Sequence, residues 1–260
     1  MNKKLEAFDR LLGILNDLRE QCPWDRKQTK ESLRKLTIEE TYELADAIVD
    51  NDYDQLKEEL GDLLMHIVFY ARIGEEEKAF TIADVANSVC DKLVERHPHI
   101  YGNVDVNSDE EVAQNWEQLK MKEGKDSVLS GVPVSLPALI KAYRIQDKAK
   151  QVGFEWEELD QVWAKVEEEM QELKASTETQ QKEAFSQEKL EDEFGDLMFA
   201  MVNYARFLNV DPETALERTN KKFIERFRYI EKQARENNRD LKSMSLNEMD
   251  QLWHEAKTRD

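Results

Sequence analysis

Apolar residues recur at helical spacing along most of the chain, and the pattern predicts ten helices. The first five cover Lys4–Glu20, Ile38–Val49, Asp54–Ile73, Ile82–Arg96 and Asp109–Lys122. The second five cover Pro137–Gln151, Leu159–Ala175, Glu188–Leu208, Pro212–Glu236 and Leu246–Ala256. Several starts carry capping signals: Ser135 with Pro137 just inside, Asp211 with Pro212 at the first position, and Ser245 with Glu248 as a capping box. The stretch Glu123–Leu136 gathers Gly, Ser and Pro without periodicity at mid-chain. It predicts a domain at 1–123, a linker at 124–136 and a second domain at 137–260. Thr177–Gln187 is polar and lacks an apolar face, so it reads as a loop.

The two halves repeat one another. Residues 59–72 (ELGDLLMHIVFYAR) and 193–206 (EFGDLMFAMVNYAR) are identical at 8 of 14 positions. Upstream, Glu39-Glu40-x-x-Glu43-Leu44 returns as Glu168-Glu169-x-x-Glu172-Leu173. Downstream, Lys92-x-x-Glu95-Arg96 returns as Lys222-x-x-Glu225-Arg226. Three matched blocks in one order mean two homologous domains. The expected fold is all-α: two helical bundles with a four-helix core each and no significant sheet.

Composition narrows the function. Eight glycines and five prolines in 260 residues are too few for a turn-rich β fold, and 40% hydrophobic content suffices for a core. The strongest apolar stretch, Leu63–Ala71, is far short of the ~20 residues needed to span a bilayer. MNKKLEAFDR has no apolar stretch behind its basic residues, so it does not read as a secretory signal. Cys22 and Cys90 cannot form a disulfide framework and belong to no CxxC motif. A cytoplasmic protein, without membrane, is expected. With 37 basic and 56 acidic residues, the net charge of −19 repels a nucleic-acid backbone, and no basic patch offsets it. A polyanionic ligand such as a nucleotide would therefore need a cation as mediator.

The acidic residues supply a place for one. Positions three apart share a helix face, so Glu40/Glu43 and Glu59/Asp62 are two carboxylate pairs. If their helices form an antiparallel hairpin, both pairs are level about residue 51, where Asn51-Asp52 makes a good turn. Glu169/Glu172 and Glu193/Asp196 are level about a point inside the polar loop of the second half. Four converging carboxylates repel one another unless a cation neutralises them, and an oxygen-only set favours Mg²⁺ or Mn²⁺. Gly61 and Gly195, each inside an apolar helix, suggest close helix approach beside the acidic cluster. A ferritin-like di-iron centre needs Glu-x-x-His, and none of the four histidines stands three residues after a Glu. No GxxxxGK[ST] loop, no GxGxxG after a strand and no Ser/His/Asp grouping is present.

These motifs resemble the all-α nucleoside triphosphate pyrophosphohydrolases, and the two-repeat layout resembles the MazG family. Cys22-Pro23-Trp24-Asp25, Ser135-Leu136-Pro137-Ala138-Leu139 and Gly153-Phe154-Glu155-Trp156 strengthen the likeness, which covers nearly the whole chain. The resemblance implies Mg²⁺-dependent hydrolysis of (d)NTPs to (d)NMP and pyrophosphate by a cytoplasmic homodimer that clears unwanted nucleotides. By the same resemblance, Glu169, Glu172, Glu193 and Asp196 hold magnesium. Lys165, Lys189, Lys222 and Arg226 meet the phosphates, with Asn220 nearby and Trp253 near the nucleotide. Glu168, beside ligand Glu169 but off its face, is the candidate for orienting the attacking water. Trp253 can equally be core, and Trp156 reads as core.

The halves differ where phosphate would bind: Leu36 stands opposite Lys165, Gln55 opposite Lys189 and Cys90 opposite Asn220. The main activity is expected in 137–260, with Glu40, Glu43, Glu59 and Asp62 forming a second, weaker metal set. A narrower dUTP- or dCTP-type pyrophosphatase, or a non-catalytic nucleotide- or metal-sensing dimer, are the alternatives.

Overall fold

The computed structural model describes residues 2–104, 106, 108, 111–112, 115, 127–178 and 186–259. Among these residues there are ten α-helices and no strand. The chain divides into two compact units, Met1–Trp116 and Glu117–Asp260. No helix among the described residues is long and apolar enough to cross a membrane.

The first unit holds α1 (Lys3–Gln21), α2 (Lys30–Asp50), α3 (Tyr53–Glu76), α4 (Ile82–Arg96) and the short α5 (Pro98–Tyr101). Its core is Leu15 from α1, Leu33 from α2, and Val68, Phe69 and Ile73 from α3, flanked by Phe8, Leu11, Leu12 and Leu36. Helix α2 begins eight residues before its expected start at Ile38. Thr29 caps it through a box closed by Ser32 rather than by Glu or Gln, and Leu33 in its first turn is core. The turn between α2 and α3 falls where the hairpin register requires it. Asn51 adopts the left-handed conformation at φ 54°, and the Asp52 carboxylate accepts the N–H groups of Asp54 and Gln55. A hydrogen bond of 2.8 Å between Thr37 Oγ1 and Tyr70 OH joins the two helices. At the other end of α1, the Arg19 guanidinium donates to the Glu76 carboxylate and to the carbonyls of Asp25 and Gln28.

The second unit holds α6 (Ala138–Gln151), α7 (Leu159–Glu178), α8 (Gln187–Phe207), α9 (Pro212–Glu236) and α10 (Leu246–Lys257). Helices α7 and α8 form its principal pair, with α6 packed on α8 and α9, and α10 packed on α9. Val162 and Val166 of α7 and Val202 of α8 are buried. Asp211 and Ser245 cap α9 and α10 as expected. Ser135 does not cap α6: Pro137 occupies the cap position with no side-chain bond, and its carbonyl accepts the Lys141 N–H. Arg206, near the end of α8, pairs with Glu155 in the turn before α7, and both side chains are largely buried.

The helix expected at Asp109–Lys122 lies for the most part outside the described residues. So do 124–126 of the linker, whose later part contains a 3-10 turn at Val128–Gly131. Of the loop expected at Thr177–Gln187, Thr177 and Glu178 still belong to α7 and Gln187 opens α8; residues 179–185 lie outside the described residues.

Candidate active site

Each helical hairpin brings three glutamates together. In the first, Glu40 and Glu43 on α2 meet Glu59 on α3; in the second, Glu169 and Glu172 on α7 meet Glu193 on α8. In both groups one carboxylate oxygen from each residue lies within 4.8 Å of the others. The i, i+3 spacing puts each pair on one face, and antiparallel pairing brings the third residue level with it. Asp62 and Asp196 stand outside these three-residue groups, although Asp62 is near enough to act on Glu40 and Glu59.

Electrostatics distinguish the clusters. Burial, followed by the Asp62 and Glu43 charges, pushes the Glu40 carboxyl above its ordinary value. Burial, followed by Glu43 and Glu40, does the same to Glu59. In the second cluster Glu172 is raised by desolvation and then by Glu169 and Glu193, but Lys165 opposes the shift. The Lys165 ammonium lies 2.6 Å from Glu169 Oε1 and 3.0 Å from Glu168 Oε1. These two hydrogen bonds raise its own pKa. Lys189 approaches Glu193 at 3.8 Å. Such a set of hard oxygen donors, crowded and partly desolvated, fits a divalent cation.

The remaining candidates lie on α9 and α10. Asn220 Nδ2 donates to Glu217 one turn back, and Lys222 is exposed. The Arg226 guanidinium lies 5.4 Å from the ring centroid of half-buried Trp253, a cation–π arrangement. Phe223, which the sequence reading missed, packs against Trp253 at 5.1 Å and stacks on Phe227 at 6.1 Å. Its signal was available, since Phe223 and Phe227 are four apart beside Lys222 and Arg226. The structure thus assembles an acidic group on α7 and α8 and a basic-aromatic group on α9 and α10.

Two further expectations fail. Trp156 is not core: it is 47% exposed, in the turn between α6 and α7. Gly61 and Gly195 do not mark close approach of helices within the chain, because a Cβ at either would meet nothing within 4 Å.

Two helical units, each a hairpin with a glutamate cluster across it, define an all-α protein built on duplicated acidic sites. The chain belongs to the MazG family: the MazG nucleotide pyrophosphohydrolase domain matches residues 28–101 and again 157–230. It is 44% identical to the nucleoside triphosphate pyrophosphohydrolase/pyrophosphatase MazG of Thermotoga maritima, over 96% of this chain and 95% of that protein. It is 40% identical to the nucleoside triphosphate pyrophosphohydrolase of Escherichia coli K12, over 97% and 98% respectively. Bacillus subtilis YabN is 46% identical over 96% of this chain and 51% of its own length. Among solved structures, a mazG-related protein from Thermotoga maritima is 28% identical and covers 44% of this chain and 98% of its own, with a TM-score of 0.39.

Proposed function

We propose that the protein is a nucleoside triphosphate pyrophosphohydrolase that converts (d)NTPs to (d)NMP and pyrophosphate, with its working site in the second unit. The observation that carries this reading is the Glu169, Glu172 and Glu193 cluster with Lys165 and Lys189 at its edge, inside a region matched by the family domain. Relatives that align over nearly their whole length carry that activity in their names.

Glu169, Glu172 and Glu193, with Asp196 one turn along α8, would hold Mg²⁺, or Mn²⁺ in its place. When bound, the ion supplies positive charge to a triphosphate and withdraws electrons from its phosphorus. Lys165 and Lys189 donate to phosphate oxygens, as do Lys222 and Arg226, which share a face of α9. Arg226, Trp253 and Phe223 offer a flat aromatic and guanidinium surface for a base, and Asn220 an amide nearby. Glu168, held by Lys165, orients a water for in-line attack, and pyrophosphate leaves without a covalent intermediate.

A homodimer is part of the proposal. Leu60, Leu64 and Ile67 of α3 form an exposed apolar stripe, and Phe194, Met198 and Met201 repeat it on α8. A second copy of the chain would cover these stripes. The two free thiols, Cys22 and Cys90, fit a reducing cytoplasm.

The test is pyrophosphate release from a panel of (d)NTPs with and without Mg²⁺. Glu172→Ala should lower turnover at least about a hundredfold, while Glu43→Ala leaves most of it. Equal losses would remove the assignment to the second unit. Nucleotide binding without release in the unaltered protein would make it a sensor.

A further inference from the structure

We infer that Lys165 is a tethered counter-ion of the second glutamate cluster, holding part of the charge a divalent ion would supply and surrendering it only when a polyphosphate draws the ammonium away. Ion and nucleotide then load together. This deepens the functional reading above and rests on it.

The two hairpins provide the comparison. Both gather three glutamates within the same 4.8 Å. In the second, ammonium groups already attend two of them: Lys165 at 2.6 Å from Glu169 and Lys189 at 3.8 Å from Glu193. In the first, the matched positions are Leu36 and Gln55, and the groups pressing on Glu40 and Glu59 are other carboxylates. The Glu169 side chain is 8% exposed, so its pairing with Lys165 is poorly screened by water. Lys165 itself is 39% exposed on a flexible four-carbon stem, free to turn outward.

A cation held against Glu169 repels an incoming dication and satisfies one of its ligands. A triphosphate offers the ammonium a stronger partner, because its oxygens together carry more negative charge than a single carboxylate. Once the ammonium leaves, Glu169 is available to the metal. Coupling of this kind is reciprocal, so bound metal must also raise nucleotide affinity.

The experiment is Mn²⁺ binding to the full chain, read from the free-ion electron paramagnetic resonance signal. It is run without nucleotide and with an NTP analogue whose α–β bridge cannot be hydrolysed. Lys165→Met should bind Mn²⁺ without nucleotide about tenfold more tightly than the unaltered protein. The gain should vanish in Lys165→Met/Glu172→Gln. Lys165→Arg, which keeps the charge, should stay near the unaltered value, and Lys165→Gln should match Lys165→Met if the methionine variant folds poorly. The metal–nucleotide coupling factor should fall with the loss of charge. Unchanged or weaker Mn²⁺ binding by the neutral variants, or a gain that survives Glu172→Gln, overturns the counter-ion role alone. Absence of Mn²⁺ binding in every protein even with the analogue instead overturns the metal–nucleotide reading beneath it.

Discussion

Glu172 stands exposed, yet its carboxyl is raised, first by desolvation and then by Glu169 and Glu193. Glu40 and Glu59 are raised in the same way. A carboxyl whose folded pKa exceeds its unfolded value favours folding fully below the ordinary value of 4.5, and that contribution is lost as pH climbs through the raised one. Calorimetry on chelator-treated protein should therefore show this part of the stability declining above pH 4.5. Glu172→Gln, which cannot ionise, should flatten the decline. Added Mg²⁺ should raise Tm most where the carboxyls are ionised and progressively less as pH falls toward 4.5. Glu248 has the opposite sign. The Arg239 guanidinium and the Ser245 N–H and hydroxyl hold it at about 2, so its contribution is present above the ordinary range and lost only as pH falls through about 2.

Between residues and fold, the elements show which features a linear pattern can carry. Helix Ile82–Arg96 and helix Pro212–Glu236 were legible to the residue, because the apolar period and, for the second, Asp211 before Pro212 are local signals. The glutamate register was legible too, since a hairpin about Asn51 leaves no other alignment. The start of α2 was hidden because Ser32 closes the capping box in place of a longer acid or amide. The exposure of Trp156 and the open space beside Gly61 and Gly195 were hidden for another reason: both depend on what packs across from them, which no spacing reports. Two substitutions test these elements. Asn51→Val should cost about 1–2 kcal/mol in urea unfolding, because a β-branched residue tolerates the left-handed conformation poorly, whereas Asn51→Gly should be near neutral. Gly195→Ala should add about 1 kcal/mol of helix stability, since its Cβ meets open space. A loss of stability would mean that this face is covered in solution.

For the molecule as a whole, the repeated apolar stripes bear on assembly. Met198→Glu places a charge in the stripe on α8, and Leu64→Glu does so on α3. Sedimentation equilibrium should show the double variant shifted from dimer toward monomer while each unit keeps its helical signal. An unshifted dimer would place the interface elsewhere. The net charge of −19 acts at this scale as well. It disfavours the approach of a naked polyphosphate, so the positive groups around the second cluster must do their work at short range, inside the screening length.

The pairing of Arg206 with Glu155 has one more consequence. It fastens the start of α7 to the end of α8, and the glutamates lie at fixed helical distances from that fastening. A longer connection can then be accommodated without moving a single acidic oxygen. Glu172 and Glu193 stand 21 residues apart where Glu43 and Glu59 stand 16 apart, yet both groups gather within the same 4.8 Å.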